Sequence, residues 1–231
     1  MTGRFLTIAR LRRDASARSM IRALSLDDPK RAMDTHHQLV WSLFANDERK
    51  NAARDFLWRV DGDRFVILSN EVPNDAHSLF DLDMQPFKPV VVENDRRVFR
   101  LRANATVCRT ENIDGSRRQH RHDVVMDTTR RMQEENPELK RAEARDLATP
   151  RAAEEWLSRI GRSSGFELET LAATSYRAVD LGRGRKKHAR FGVLEIDGVL
   201  RVLEPKQLIS RIEQGFGRAK AFGCGLMLLR T

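Results

Sequence analysis

Cysteine, tyrosine and long apolar runs are all scarce in this 231-residue sequence. Its two cysteines, Cys108 and Cys224, lie far apart and form no CxxC pair, so we expect reduced thiols rather than a disulfide or a zinc site. No uninterrupted apolar run approaches the length needed to span a bilayer, which excludes a membrane helix. The first residues carry no apolar signal region, so the sequence predicts a cytoplasmic protein.

Several motifs of enzyme chemistry are also missing. The sequence contains no Walker loop, no GxSxG, no HExxH and no acidic DxD cluster in a plausible site. His120 and His122 beside Asp123 come nearest to a metal site, but the interleaved arginines would repel a cation. We therefore predict neither a metal nor another cofactor, and we interpret residues 106–122 as a basic, solvated loop that could touch RNA.

Positive charge is what the sequence has in excess, with 42 Lys and Arg against 33 Asp and Glu and a pI of about 10.2. Arginine supplies most of it, and its planar fork matches phosphate geometry well. Nucleic acid is the leading class of partner, and a membrane surface is the weaker one. With one tyrosine and three tryptophans, the chain has few rings on which bases could stack, so we expect recognition of shape and phosphate.

The order of predicted elements is β-α-β-β-α-β, found twice. The first round comprises a strand at 4–11, a helix capped by Asp34 or Thr35, a hairpin around Asp61-Gly62-Asp63, a short helix at 75–83 and a strand at 90–92. The second begins with a strand at 98–105 and includes a helix that starts at Pro150. The sequence therefore predicts an α+β fold with antiparallel sheets in two domains, residues 1–92 and 93–231.

A glycine-rich loop, residues 215–226 (GFGRAKAFGCGL), follows a predicted helix at 206–214. Its glycines permit positive φ and close backbone approach, and Arg218 and Lys220 lie between them. Exposed N–H groups beside cations suit phosphate. The alternative is an ordinary turn from a helix to a strand.

A second basic segment, residues 183–190, lies between two predicted strands. Such a cationic tip could enter a groove of structured RNA or DNA, although a solvated loop would look the same in the sequence. His36 and His37 open the first predicted helix. His37 falls on its apolar face, so spacing alone favours a core residue over one that transfers protons.

Four stretches together resemble the CasE-type endoribonucleases, the CRISPR RNA processing subunits of type I-E Cascade complexes. They are the glycine-rich loop, FRLRAN at 99–104, HQLVWSLF at 37–44 and ARDFLWR at 53–59, and they come in the family's order. The resemblance implies tandem ferredoxin-like (RRM-like) domains. It also implies metal-independent cleavage of precursor CRISPR RNA at the 3′ base of the repeat stem-loop, by attack of a 2′-hydroxyl on its own phosphate.

The resemblance also implies roles for individual residues. His37 aligns with the catalytic histidine, with His36 as a less favoured substitute. The stem-loop and the other Cascade subunits would be the partners. The residues expected to contact RNA are Arg183, Arg185, Lys186, Lys187, Arg190, Gly215, Gly217, Arg218, Lys220, Arg102 and Asn104.

The chain also departs from the family pattern. Asp34 stands where some relatives have a tyrosine, and we expect it to cap the helix or to orient an imidazole. Arg54, Arg218 and Lys220 are equal candidates for the cation that stabilises the phosphorane. An RNA-binding subunit with a degenerate active site and a generic basic nucleic-acid-binding protein remain alternatives.

Overall fold

The computed structural model describes residues 3–14, 32–44, 56–113, 116–180 and 190–230. Two single turns of 3₁₀ helix lie at Arg162–Ser164 and Lys220–Phe222. The longer elements are β1 Phe5–Leu11, α1 Ala32–Ser42, β2 Phe56–Asp61, β3 Arg64–Ser69, β4 Phe80–Pro86, β5 Arg96–Ala103, β6 Thr106–Ile113, β7 Ser116–Asp123, α2 Val124–Glu135, α3 Arg141–Gly161, β8 Phe166–Asp180, β9 Arg190–Val202, α4 Pro205–Gln214 and β10 Met227–Arg230.

Two four-stranded antiparallel sheets organise these elements. The strand orders are β2-β3-β1-β4 in the first sheet and β10-β5-β9-β8 in the second. In each sheet the first and third strands of the unit lie side by side at the centre, which is the ferredoxin-like order. The predicted α+β fold with two tandem ferredoxin-like domains is confirmed, while the boundary between residues 92 and 93 stays a prediction.

The second half of the first unit differs from the sequence expectation. The hairpin at Gly62 is present, but the predicted helix at 75–83 and strand at 90–92 are wrong. Phe80–Pro86 is instead β4, which pairs with β1 over its whole length. Its apolar residues alternate with aspartates, which is the period of a strand. Val90 and Val92 are 82% and 57% exposed, so they have no buried face to make a strand there.

The segment between β5 and β8 is more ordered than the sequence indicates. The predicted basic loop at 106–122 is the antiparallel hairpin β6–β7. Asp123 ends it and caps α2, because its carboxylate accepts the N–H groups of Val125 and Met126 at 3.0 and 3.1 Å. Pro150 lies inside α3 rather than at its start. Buried alanines on both sides of it, including Ala144 and Ala152, offset the hydrogen bond that proline removes.

The largest hydrophobic cluster packs the second sheet against its helices and extends to the first sheet. Leu57 and Leu68 of the first sheet share one buried cluster with Phe99, Leu101 and other residues of the second. The glycine-rich loop passes through this junction. A Cβ atom on Gly223 would lie 3.0 Å from the ring of Trp58, so glycine is what lets the loop come this close to β2.

None of the helices in the described ranges is both long and apolar enough to cross a membrane. Nor do the described side chains include a group of three or more His, Cys, Asp and Glu placed to hold a metal ion.

Gly217 and Gly62 provide a matched test of the loop packing. Both have positive φ, +69° and +66°, but a Cβ on Gly217 would lie 2.6 Å from the Asn104 carbonyl oxygen, whereas Gly62 has open space. Gly62→Ala should lower the free energy of unfolding by about 1 kcal/mol through backbone strain, and Gly217→Ala by roughly 1–3 kcal/mol more through overlap. Urea unfolding followed by tryptophan fluorescence measures both; equal losses would contradict the close packing of this loop.

Candidate active site

Helix α1 begins before the predicted capping residues. It already includes Ala32, so Asp34 and Thr35 lie in its first turn and the prediction that one of them caps it is wrong. His36 and His37 are consequently its fifth and sixth described residues, not its opening. Other groups, rather than the helix N-terminus, must fix the orientation of the imidazoles.

The ring of His37 is held by a backbone carbonyl of the glycine-rich loop. Its Nδ1 atom lies 2.7 Å from the carbonyl oxygen of Ala221. A carbonyl oxygen only accepts, so Nδ1 carries the hydrogen and donates it. The indole N–H of Trp58 donates to the same oxygen at 3.2 Å. This arrangement assigns Nε2 as the nitrogen of the neutral ring that can take up a proton.

Two aromatic rings contact the His37 imidazole. Phe222 stacks on it with ring centroids 5.1 Å apart, and Trp41 lies 5.5 Å away in a tilted arrangement. Phe222 in turn contacts Phe191 at 5.7 Å. His37 is only partly buried, which differs from the sealed core position that its spacing favours.

His36 occupies a different environment on the same helix. Its ring meets the edge of Phe65 at a centroid distance of 5.3 Å. Burial lowers the pKa of His36, and the positive charges of Arg102 and Arg177 lower it further. The ring is therefore kept neutral, in a setting that disfavours a protonated acid.

The backbone of the glycine-rich loop is already engaged with β5. The N–H of Arg218 donates to the Asn104 carbonyl at 2.9 Å, and the N–H of Gly225 donates to the Arg102 carbonyl at 2.7 Å. These donors are directed into the fold and not towards an external anion. Gly215 and Gly217 allow close packing inside the protein: a Cβ would lie 2.9 Å from Leu57 at Gly215 and 2.6 Å from the Asn104 carbonyl oxygen at Gly217.

Arg102 and Asn104, two expected RNA contacts, also have partners inside the protein. Arg102 donates to Glu195 at 2.5 Å, and the buried Asn104 amide donates to the Gly192 carbonyl at 2.9 Å. Glu195 lies 3.7 Å from the guanidinium of Arg59 as well, which is only 3% exposed. An ion network thus joins the first sheet to the second below the imidazoles.

The remaining predicted cations differ in their surroundings. Lys220 donates to the Gln214 carbonyl at 2.6 Å, at the end of α4. The side chains of Arg190 and Arg218 line a cleft beside β7. Arg54 and the tip of the basic segment, Arg183, Arg185, Lys186 and Lys187, lie outside the described residues.

Sequence reasoning missed the groups that orient His37. The Ala221 carbonyl and the Phe222 ring both belong to the loop that the glycine pattern singled out, but nothing in the pattern indicates which helix they contact. Trp58 lies in one of the stretches that carry the family resemblance, ARDFLWR at 53–59, but the resemblance implies no role for this residue.

The lowered pKa of His36 makes a testable contribution to stability. As the pH falls, His36 takes up a proton in the unfolded chain before it does so in the folded chain. The free energy of unfolding therefore decreases as the pH falls from the ordinary histidine pKa to the lower pKa of the folded state. Between a pH of about 7.5 and about 5.5, wild type should lose more stability than His36→Gln. NMR titration of the two histidines should find His36 below the ordinary range; a value at or above that range would contradict the described environment.

Comparison with known proteins finds relatives among the CRISPR-associated proteins. A family model described as "CRISPR associated protein" matches residues 5–231. The Cascade subunit CasE of Escherichia coli K12 is 28% identical over 213 residues, which cover 84% of this chain and 89% of the relative.

Two solved structures share the fold. Thermus thermophilus Cse3, solved with an RNA representing a pre-cleavage complex, has a TM-score of 0.61 at 19% identity over 99% of this chain and all of the other. Cas6e from E. coli K-12 has a TM-score of 0.58 at 22% identity over 97% and 98% of the two chains. The chain belongs to the CRISPR-associated protein family, as a CasE-type member.

Proposed function

We propose that this protein is an endoribonuclease that cleaves precursor CRISPR RNA at the 3′ base of the repeat stem-loop, without a metal, and retains the product within a Cascade complex. The observation that carries the proposal is the fixed imidazole of His37. A partly exposed ring has its Nδ1–H bonded to the Ala221 carbonyl, which makes Nε2 the nitrogen that can take up a proton, and cationic side chains belong to the loop that holds it.

The chemistry requires little more than this imidazole and a positioned RNA. Nε2 accepts the proton of the 2′-hydroxyl while the 2′-oxygen forms a bond to the adjacent phosphorus. The bond from phosphorus to the 5′-oxygen breaks, that oxygen takes up a proton from solvent, and Nε2 releases its proton to solvent. The products are a 2′,3′-cyclic phosphate and a 5′-hydroxyl. Because the nucleophile is the substrate's own hydroxyl, no metal-activated water is needed.

Negative charge that builds up on the phosphorane needs a cation. Of the two described candidates, we favour Arg218 over Lys220, because the Lys220 ammonium already donates to Gln214. The bidentate guanidinium fork also suits a phosphoryl group better than an ammonium does. The basic segment at 183–190, which follows β8, would hold the stem.

The relatives support the substrate and the assembly. Cse3 structures are described as a CRISPR endoribonuclease bound to a 19-nucleotide RNA, and the E. coli relative is a Cascade subunit. Retention of the product has a simple physical basis: a surface complementary to the stem before cleavage is equally complementary after it.

Cleavage of a cognate repeat RNA in excess EDTA tests the proposal. Wild type should cleave, and His37→Ala should lower the single-turnover rate by about 10²–10⁴-fold, the usual contribution of a general acid or base. An RNA with a 2′-deoxy substitution at the cut site should not be cleaved. His77→Ala removes an exposed imidazole before β4 and should retain full activity.

The outcomes separate the alternatives. Activity that disappears in EDTA and returns with added metal would contradict the metal-free mechanism. Tight stem-loop binding without cleavage by wild type would indicate an inactive RNA-binding subunit. Loss of cleavage in His36→Ala but not in His37→Ala would transfer the role to the neighbouring histidine.

A further inference from the structure

A polar cleft of about 520 Å³ lies between the hairpin β6–β7, the start of β9 and the glycine-rich loop. Its lining residues are Asn104, Thr106, Gln119, His120, Arg121, Asp123, Arg190, Phe191, Gly192 and Arg218. We call it the β7 cleft. Its hairpin side belongs to the stretch that the sequence predicted to be a basic, solvated loop that could touch RNA.

The arginines of the β7 cleft differ from most arginines of the protein. Elsewhere arginine is commonly paired, as Arg100 is with Asp61 and Asp197 at 3.1 Å each. Within the described part of the chain, no ion pair involves Arg121, Arg190 or Arg218. Three arginines that line one cleft without forming an ion pair produce a positive potential, which favours an anionic ligand.

The Asp123 carboxylate, the one acidic group among the described residues that line the cleft, offsets only one of these three positive charges. Asp123 accepts two backbone N–H groups of α2 and the hydroxyl of Tyr176, whose pKa is raised by burial and by this carboxylate. Gly192 lies against both: a Cβ there would come within 2.1 Å of the Asp123 carboxylate and 2.5 Å of the Tyr176 ring. The backbone at Gly192 is therefore closely packed against Asp123 and Tyr176.

The β7 cleft is connected to the His37 imidazole through aromatic contacts. Phe191 lines the cleft and contacts Phe222 at 5.7 Å, and Phe222 stacks on His37 at 5.1 Å. An RNA strand whose scissile phosphate lies at the imidazole would therefore reach the cleft within a few nucleotides. The partly exposed Phe191 ring offers a face on which one base can stack.

We propose that the β7 cleft binds the single-stranded repeat segment that continues from the cut site, with Arg121 as a phosphate contact supplied by the hairpin. The inference rests on the proposed function for the identity of the RNA. It assigns to the β6–β7 hairpin a contact that is separate from the grip of the tip of the basic segment, residues 183–187, on the stem, whereas Arg190 lines the cleft. The expected ligand is a single-stranded phosphodiester chain rather than a duplex, because the Phe191 ring can stack only on a base that is not already stacked and paired in a helix.

Fluorescence anisotropy with an RNA made uncleavable by a 2′-deoxy substitution tests the site independently of catalysis. Two RNAs are compared, the stem-loop with its single-stranded flanks and the stem-loop trimmed of both. Arg121→Ala should weaken binding of the flanked RNA about tenfold, the typical effect of losing a charged hydrogen bond, and should not change binding of the trimmed stem. For the flanked RNA, the slope of log K against log salt should become shallower by about 0.7.

Two further variants control for folding and for charge. Arg121→Lys keeps the charge and should recover most of the affinity. Arg162→Ala removes an arginine whose side chain is 84% exposed. It lies beside the start of β8, at the end of the β8–β9 pair opposite to Arg190, and its loss should leave both RNAs unaffected.

The results distinguish this inference from the proposed function. Equal effects of Arg121→Ala on both RNAs, or no effect on either, would overturn the assignment of the β7 cleft. If wild type bound neither RNA, the proposed function would fall with it. If binding followed the expected pattern but His37→Ala still cleaved the natural RNA, the cleft assignment would stand and the proposed mechanism would not.

Discussion

The carbonyl oxygen of Ala221 is the single acceptor on which the candidate site depends. It receives an N–H from His37 on α1 and another from Trp58 on β2, so one backbone atom of the second unit fixes two side chains of the first. A carbonyl cannot donate, and this asymmetry determines which imidazole nitrogen carries the hydrogen. Any displacement of the loop would change both the position and the protonation pattern of the ring.

The glycines of the loop make this position of the carbonyl possible. Between a closely approaching β5 on one side and the Trp58 indole on the other, there is no space for a Cβ at Gly217 or Gly223. The loop is therefore best understood as a spacer between two sheets, which brings a backbone acceptor to a helix of the other unit. The same loop also carries two cations. Arg218 lines the β7 cleft, while Lys220 donates to the Gln214 carbonyl at the end of α4.

Local patterns predicted the parts of this fold that local forces determine. The hairpin at Gly62 and the glycine spacing of the loop follow from turn chemistry and positive φ. The helix predicted at 75–83 is wrong because residues 80–86 alternate with the period of a strand, and a segment this short matches both periods weakly. Pro150 was misread as a helix start, since burial of alanines on both sides of it is a tertiary effect. His37 illustrates the same limit: spacing favoured a core residue, and only the family resemblance identified it as the candidate.

The contact between His37 and Ala221 joins residues 184 positions apart in the chain. A ribosome that has completed α1 must therefore synthesise nearly the whole of the second unit before the imidazole acquires its acceptor. Since domains fold largely in the order of their synthesis, the first unit passes through a stage in which it is folded but its histidine is unoriented. The geometry of the candidate site is thus completed late, only when the glycine-rich loop has been synthesised.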